Sequence, residues 1–335
     1  MRSINWCNYR YFWYDGYGRY GLAFLRALAQ SGQINVYPMI IEQINQMPGW
    51  LQRMAGLDFS RLTISCMPPN SAVPVPGRQW VSTMYECDAL PEGWADYCNW
   101  KADMVIVPCE HNARVFYEKG VRKPIYVVNG GTCPTEFPIL PERKTDRPYT
   151  FLALGDRGSR KGMDIVWSAF WKAFENSDDV RLIIKARPDS IKDIDLTNSD
   201  KRVSIWRDDV QSMADVYSQI DCFVFPSRGE GWGMPPREAA MMGLPVIATR
   251  YSGLEVGIDN WAIPIDKYTM RPAMLPVKGD WAHPDVEEVK EKMLWCYDHQ
   301  SEAKALGLRA AQWLRDNQTW DHAAKQLLDL LDRYA

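Results

Sequence analysis

The sequence predicts an α/β protein made of two tandem, Rossmann-like, doubly wound parallel-sheet domains. Three observations carry this prediction. Short β-branched runs alternate with helical patterns along the chain, as parallel strands joined by crossover helices require. The 335 residues suit two domains of about 150 residues each, and a polar, Pro-flanked stretch, LPERKTDRP at 140–148, separates two such series of runs. The first domain is expected over 1–143, with the last helix, 321–335, crossing back onto it; the second is expected over 148–320. A ligand cleft is expected between the two, at the carboxyl ends of the strands.

In chain order, the strand runs of the first half are SINWC, INVYPMII, RLTISC, WVSTMY, DMVIVP and PIYVVN. After the linker come YTFLALG, VRLIIKA, RVSIW, DCFVFP, LPVIAT and WAIPI. From residue 285 onward the chain reads as helices. Ala310, Ala311 and Leu314, then Ala323, Leu327, Leu330 and Leu331, keep a helical period.

Composition excludes several classes. At 46% hydrophobic and 24% charged residues the chain is neither disordered nor collagen-like. No apolar run reaches the roughly 18 residues that a membrane span needs. The opening MRSINWCNYRYFWYDG lacks a continuous apolar core, so no secretory signal is expected. The eight cysteines form no C-x-x-C. Cys7, Cys66, Cys109 and Cys222 sit in or beside strand runs, as buried free thiols do, so a reducing cytoplasm is the expected setting. Net charge is −3, and neither half is a polycation, which disfavours a nucleic-acid partner.

The chemistry concentrates in DCFVFPSRGEGWGMPPREAAMMGLPVIATRYSG, 221–253. A buried strand ending at Pro226 leads into a Gly-rich loop holding Glu230, Gly231, Trp232 and Gly233. Pro235 and Pro236 suit a first helical turn, where a missing N–H costs nothing, and Gly243 closes the helix. Glu230 is thus placed on a loop at a strand's carboxyl end and Glu238 in the first helical turn. Free N–H groups and the helix dipole there make a seat for phosphate, and two carboxylates beside it can accept from sugar hydroxyls.

This segment resembles the signature of the retaining family 4 glycosyltransferases (glycosyl transferases group 1), two-domain GT-B enzymes that use nucleotide-sugar donors. The family pattern, P-S-x-x-E-G-[FW]-G…E-A…G-x-P-V-I-A, stands here as Pro226, Ser227, Glu230, Gly231, Trp232, Gly233, Glu238, Ala239, Gly243, Pro245 and Val246. FLALGDRGSRKGMDIVWSAFWKAF, 151–174, resembles the family's G-x-x-x-x-x-K-G-x-D…A-F block. The resemblance implies that Lys161 contacts the donor diphosphate, with Arg157 or Arg160 as second cation. It also implies that the base rests near Trp206 and Arg207, and that the products retain anomeric configuration.

In the first half, YDGYGRYGLAFLRALAQSG, 14–32, resembles the family's Gly-rich loop, with Gly16 and Gly18 admitting the donor. Residues 83–121 resemble a subgroup pattern, E-x-x-x-L-P-x-x-W followed by V-P-S-x-x-N. Many relatives carry a His near the end of the fourth strand; here Tyr85, Glu86 and Asp88 occupy that region, and Glu86 is the residue expected to face the cleft. His111 is expected to cap a helix or lie on the surface. Asp193-Ile-Asp195 is formally D-x-D but sits in a polar stretch, so it is read as loop.

The resemblance implies no metal and no cofactor beyond the nucleotide-sugar co-substrate. The acceptor is a hydroxyl-bearing compound of open class: glycan, lipid-linked sugar, protein, small molecule or modified DNA base. A nucleotide-sugar epimerase and a non-catalytic nucleotide-sugar-binding protein stand as rival readings. Eight of the first twenty residues are aromatic. With Trp6, Trp167, Trp171 and Trp313 read as core and Trp232 lying in the donor motif, a cluster is left just after the first strand: Tyr9, Tyr11, Phe12, Trp13, Tyr14 and Tyr17. This cluster, Trp13, Tyr14 and Tyr17 above all, is expected to shape the acceptor side, because aromatic faces stack on sugar rings and bases.

Overall fold

The computed structural model describes residues 2–9, 11, 16–39, 56, 58–141, 147–155, 159–177, 179–186, 200–274 and 277–335. The chain forms two compact units, Met1–Gly131 with Gln318–Ala335, and Thr132–Asn317. Residues 132–141 therefore group with the second unit.

In the first unit, strands β1 (Arg2–Asn8), β2 (Ile34–Pro38), β3 (Leu62–Cys66), β4 (Gln79–Ser82), β5 (Met104–Val107) and β6 (Ile125–Val127) form one sheet. Their order is β2-β1-β3-β4-β5-β6 and every pairing is parallel. A parallel sheet covered on both faces needs apolar strands throughout, and β3, β4 and β5 are buried at every position. Among the polar exceptions, Asn5 Nδ2 donates to Asp58 O at 2.9 Å and to Thr63 Oγ1 at 3.2 Å.

Helices α1 (Gly16–Gln30), α2 (Trp94–Lys101) and α3 (Glu110–Glu118) connect these strands. The last helix, α10 (Trp320–Tyr334), packs on α1 within this unit. Its start is fixed by a capping box of Thr319 and His322, which satisfies two otherwise orphaned N–H donors. Trp320 meets Tyr20 and Phe24 edge-on at 5.2 and 5.8 Å, and Phe24 stacks on Trp6 at 5.7 Å. Helix α1 is therefore apolar on two sides, toward β1 and toward α10.

The second unit holds β7 (Tyr149–Leu154), β8 (Val180–Lys185), β9 (Val203–Trp206), β10 (Cys222–Phe225), β11 (Val246–Thr249) and β12 (Ile263–Ile265). All are parallel, in the order β12-β11-β10-β7-β8-β9. Strand order reverses between β7 and β10, and such a switch point opens a crevice at the carboxyl ends. The two-residue period of a strand divides the core. Phe151, Cys222 and Val224 face one cluster with Phe170, Leu182 and Met293. Leu152, Phe223 and Phe225 face the other with Met241, Trp261 and Leu314.

The helices of this unit are α4 (Met163–Ala173), α5 (Met213–Tyr217), α6 (Met234–Met241), α7 (Ile258–Trp261), α8 (Val286–Asp298) and α9 (Gln300–Asn317). The sequence reading missed an antiparallel hairpin, β13 (Tyr268–Pro272) with β14 (Asp280–Pro284). Its first strand is exposed from Thr269 to Pro272, so it lacks the apolar alternation that marks a strand. Trp167 and Trp313 are half-buried and pack against the edges of the two clusters. All eight cysteines are free thiols, seven of them buried. No helix among the described residues is long and apolar enough to cross a membrane.

Trp6, 1% exposed, anchors the aromatic contact between β1 and α1. Trp6→Ala is expected to cost about 3–5 kcal/mol, read as a lower urea midpoint by circular dichroism.

Candidate functional site

Two loops meet at the switch point of the second unit, one after β7 (described from Ser159) and one after β10. They pack so closely that a Cβ on Gly162, whose φ is +72°, would stand 2.1 Å from Pro226 O, so only glycine fits there. The Arg228 N–H donates to Arg160 O at 2.7 Å. The Arg228 side chain, 3% exposed, grips Asp164 with two parallel bonds of 2.9 and 2.6 Å and also donates to Ser159 O. These contacts carry the cations of the first loop to the carboxylate of the second.

Glu230 is the meeting point. Its Oε1 accepts from Lys161 Nζ at 2.7 Å, Arg160 Nη1 at 2.8 Å and Ser227 Oγ at 2.7 Å. Among the described residues no donor is recorded on Oε2. The backbone is held too: Glu230 N–H donates to Ser252 Oγ, and Gly253 N–H donates to Glu230 O, both at 2.9 Å. A Cβ on Gly253 would lie 2.3 Å from Gly231 O, so this approach again requires glycine. Burial alone raises the Glu230 pKa. The charges of Arg160 and Lys161, with hydrogen bonds from Lys161 and Ser227, more than offset it and hold the carboxyl below its ordinary value. Glu230 is an ionised carboxylate with one oxygen fixed and the other able to accept.

Helix α6 follows, with prolines in its first turn as expected. Two readings of this helix need correction. It begins at Met234, so Glu238 is its fifth residue and lies in the second turn; it is 2% exposed, with Tyr217 Oη 3.3 Å from Oε2. Pro235 and Pro236 also carry no N–H, so Met234 alone among the first three helical residues offers one. Sequence reasoning passed over Arg237, whose buried guanidinium lies over the rings of Trp232 at 3.9 Å and Trp261 at 4.6 Å. It passed over Arg228 as well. Both stand among residues matched for other reasons, and no local pattern marks an arginine as buried.

Trp206 is half-buried at the end of β9, and Arg207 next to it is exposed. Arg157, Asp193 and Asp195 lie outside the described residues. Among the described residues no group of three His, Cys, Asp or Glu side chains is placed to hold a metal ion.

The remaining candidates belong to the first unit. Gly16 and Gly18 open α1 rather than lying in a loop before it. A Cβ on Gly16 meets nothing within 4 Å, and Gly18 O accepts from Asn8 Nδ2 at 3.2 Å. Tyr17 Oη donates to Met84 O at 2.6 Å and accepts from Met84 N–H at 3.0 Å, tying α1 to the end of β4. Burial pushes this phenol's pKa up, and the nearby Glu86 adds to the effect. Glu86 itself is half-buried.

Trp13, Tyr14 and Phe12 lie outside the described residues. Tyr9, 38% exposed, meets Tyr17 edge-on at 6.1 Å. Tyr11 does not belong with them. It is a core residue whose hydroxyl lies 2.8 Å from Met39 O and 2.9 Å from Trp6 O. His111 is likewise neither a cap nor a surface residue. Cys109 is the N-cap of α3, and His111 is buried one position inside the helix, with Nδ1 3.3 Å from Arg114 Nη2. Burial and the Arg114 charge lower its pKa, so it is neutral at pH 7.

Residues 148–273 match the family model described as Glycosyl transferases group 1. Several solved structures share the fold across nearly the whole chain. Sucrose-phosphate synthase from Thermosynechococcus elongatus is 14% identical over 99% of each chain, with a TM-score of 0.68. Anabaena HepE, solved in complex with UDP-glucose, is 11% identical over 99% of this chain and 100% of its own, with a TM-score of 0.71. A glycosyltransferase from Rickettsia africae is 13% identical over 98% of this chain and 97% of its own, with a TM-score of 0.68. No curated protein sequence matches the chain. The fold is that of the GT-B glycosyltransferases, and its second unit carries the group 1 segment around Glu230.

The buried neutral His111 has a pH signature. Below about pH 6.5 an unfolded histidine takes up a proton that the folded one refuses, so stability falls with pH until the folded pKa is passed. His111→Gln is expected to lose less stability than the wild type between about pH 7.5 and about pH 5.5, compared by urea midpoints.

Proposed function

We propose that the chain is a nucleotide-sugar-dependent glycosyltransferase that transfers a sugar to an acceptor hydroxyl with retention of anomeric configuration. The observation that carries this reading is the Glu230 carboxylate, with Oε1 held by Lys161, Arg160 and Ser227 and no donor recorded on Oε2. It stands at the switch point of a sheet matched by the group 1 model. A diphosphate seated against Lys161 and Arg160 brings its sugar beside Glu230, whose Oε2 accepts from a sugar hydroxyl. Glu238 accepts from a second hydroxyl of the donor. Uridine diphosphate sugars are the first donors to test, because HepE was solved with UDP-glucose.

In the reaction the bond from the anomeric carbon to the diphosphate oxygen breaks, and the acceptor oxygen bonds to that carbon on the same face. The departing phosphate oxygen takes the acceptor's proton. Charge grows on the diphosphate as it leaves, and fixed cations stabilise it most in the transition state. No step here calls for a metal ion, so rates with and without EDTA are expected to agree. We assign the acceptor side to the first unit, around Trp13, Tyr14 and Tyr17, with Glu86 near Tyr17. Since its hydroxyl is bonded to Met84, Tyr17 offers its ring rather than its oxygen. The free thiols support a cytoplasmic setting.

Incubation with a panel of nucleotide sugars and acceptors, followed by mass spectrometry, separates transfer from donor-only epimerisation and from binding without turnover. Glu230→Gln and Lys161→Met are each expected to lower kcat about 100-fold or more. Unchanged transfer by Glu230→Gln would remove the donor contact assigned to it.

A further inference from the structure

A buried arginine in a packed core calls for an account, because an apolar side chain of similar volume would fill the same space without desolvating a charge. Arg237 reaches two loops at once. Nη1 donates to Trp232 O and, at 3.3 Å, to Gly233 O, both on the loop that carries Glu230. Nη2 donates to Gly253 O at 3.0 Å and to Val256 O at 3.2 Å on the loop after β11. The second loop is also the one that latches the Glu230 backbone, through Ser252 Oγ and the Gly253 N–H. The guanidinium carbon also lies over the rings of Trp232 and Trp261, 3.9 and 4.6 Å from their centroids, so turning it would break ring contacts as well as hydrogen bonds.

We propose that Arg237 is a positioning residue for the donor sugar. By clipping the 230–233 loop to the 252–256 loop, it fixes the backbone from which the Glu230 carboxylate projects. It acts through Glu230; Arg160 and Lys161 stand on the other loop and are linked to Arg237 only by way of the Glu230 carboxylate they bond. The inference rests on the glycosyltransferase reading. It separates two parts of donor affinity: the sugar part depends on Arg237 more than the nucleotide part, whose cations are held on the other loop.

The test is calorimetric titration of UDP and of UDP-glucose into the wild type, Arg237→Met, Glu230→Gln and the double variant, with folding checked by circular dichroism. Arg237→Met is expected to weaken UDP-glucose about tenfold or more, as loss of a hydrogen bond to a charged group does, while UDP affinity stays within about twofold. The double variant is expected to lose no more than Glu230→Gln alone, because the two residues act on one contact. Equal weakening of UDP and UDP-glucose, or additive losses, overturns the inference and leaves the donor reading standing. Failure of the wild type to bind either ligand overturns the uridine donor proposed above and this inference as stated for it. Should Arg237→Met not fold, Arg237→Lys, which keeps the charge but loses the planar fork, is expected to show a smaller selective loss on UDP-glucose. Full retention of UDP-glucose affinity in Arg237→Lys overturns the role of the fork.

Discussion

One carboxylate oxygen, Glu230 Oε1, accepts from an arginine, a lysine and a serine. Removing an isolated carboxylate from water is costly, and two cations at hydrogen-bond distance are what make its burial tolerable. The dependence runs both ways. Arg160 and Lys161 stand after β7, and without the carboxylate two positive charges would crowd the same crevice. The ion cluster therefore fastens the two loops of the switch point to each other and keeps an anion-accepting site from repelling itself apart.

Around the cluster, packing leaves little slack. Gly162 lies against Pro226 O and Gly253 against Gly231 O, at separations no side chain allows. Two arginines work outward from there: Arg228 ties the loop after β10 to Asp164 in α4, and Arg237 ties it to the loop after β11. Three loops from three strands are thus joined by backbone contact and charge-assisted bonds, with helix α6 behind them. A site of this kind is rigid because its parts share bonds.

Much of this was legible in sequence, for a reason that is local. Buried parallel strands announce themselves by apolar runs, and all twelve runs contain or overlap strands of the two sheets. The Glu230 segment was legible because its residues resemble a family signature over a long stretch, whereas either glutamate alone would read as an ordinary loop or helix acid. What escaped depends on tertiary contact. Hairpin β13–β14 has an exposed first strand and so no apolar alternation. Tyr11 follows a strand among aromatic neighbours, and only the fold takes it into the core while leaving Tyr9 at the surface. His111 and Arg237 are polar types whose burial depends in part on partners far along the chain, Cys87 for one and the carbonyls of Gly253 and Val256 for the other. Glu238 was placed in the first turn because the helix start was inferred from its prolines; Met234 already belongs to it, which moves Glu238 by one position, to the fifth residue and into the second turn.

The return of residues 318–335 to the first unit bears on how the chain is made. On the ribosome, the strands of that unit emerge early while the helix that covers α1 emerges only after the second unit. Until residue 320 has emerged, Tyr20 and Phe24 lack the indole of Trp320. The second unit is contiguous and has all its parts by residue 317. Order of synthesis and order of completion are therefore opposite: the half that is translated first is the half finished last.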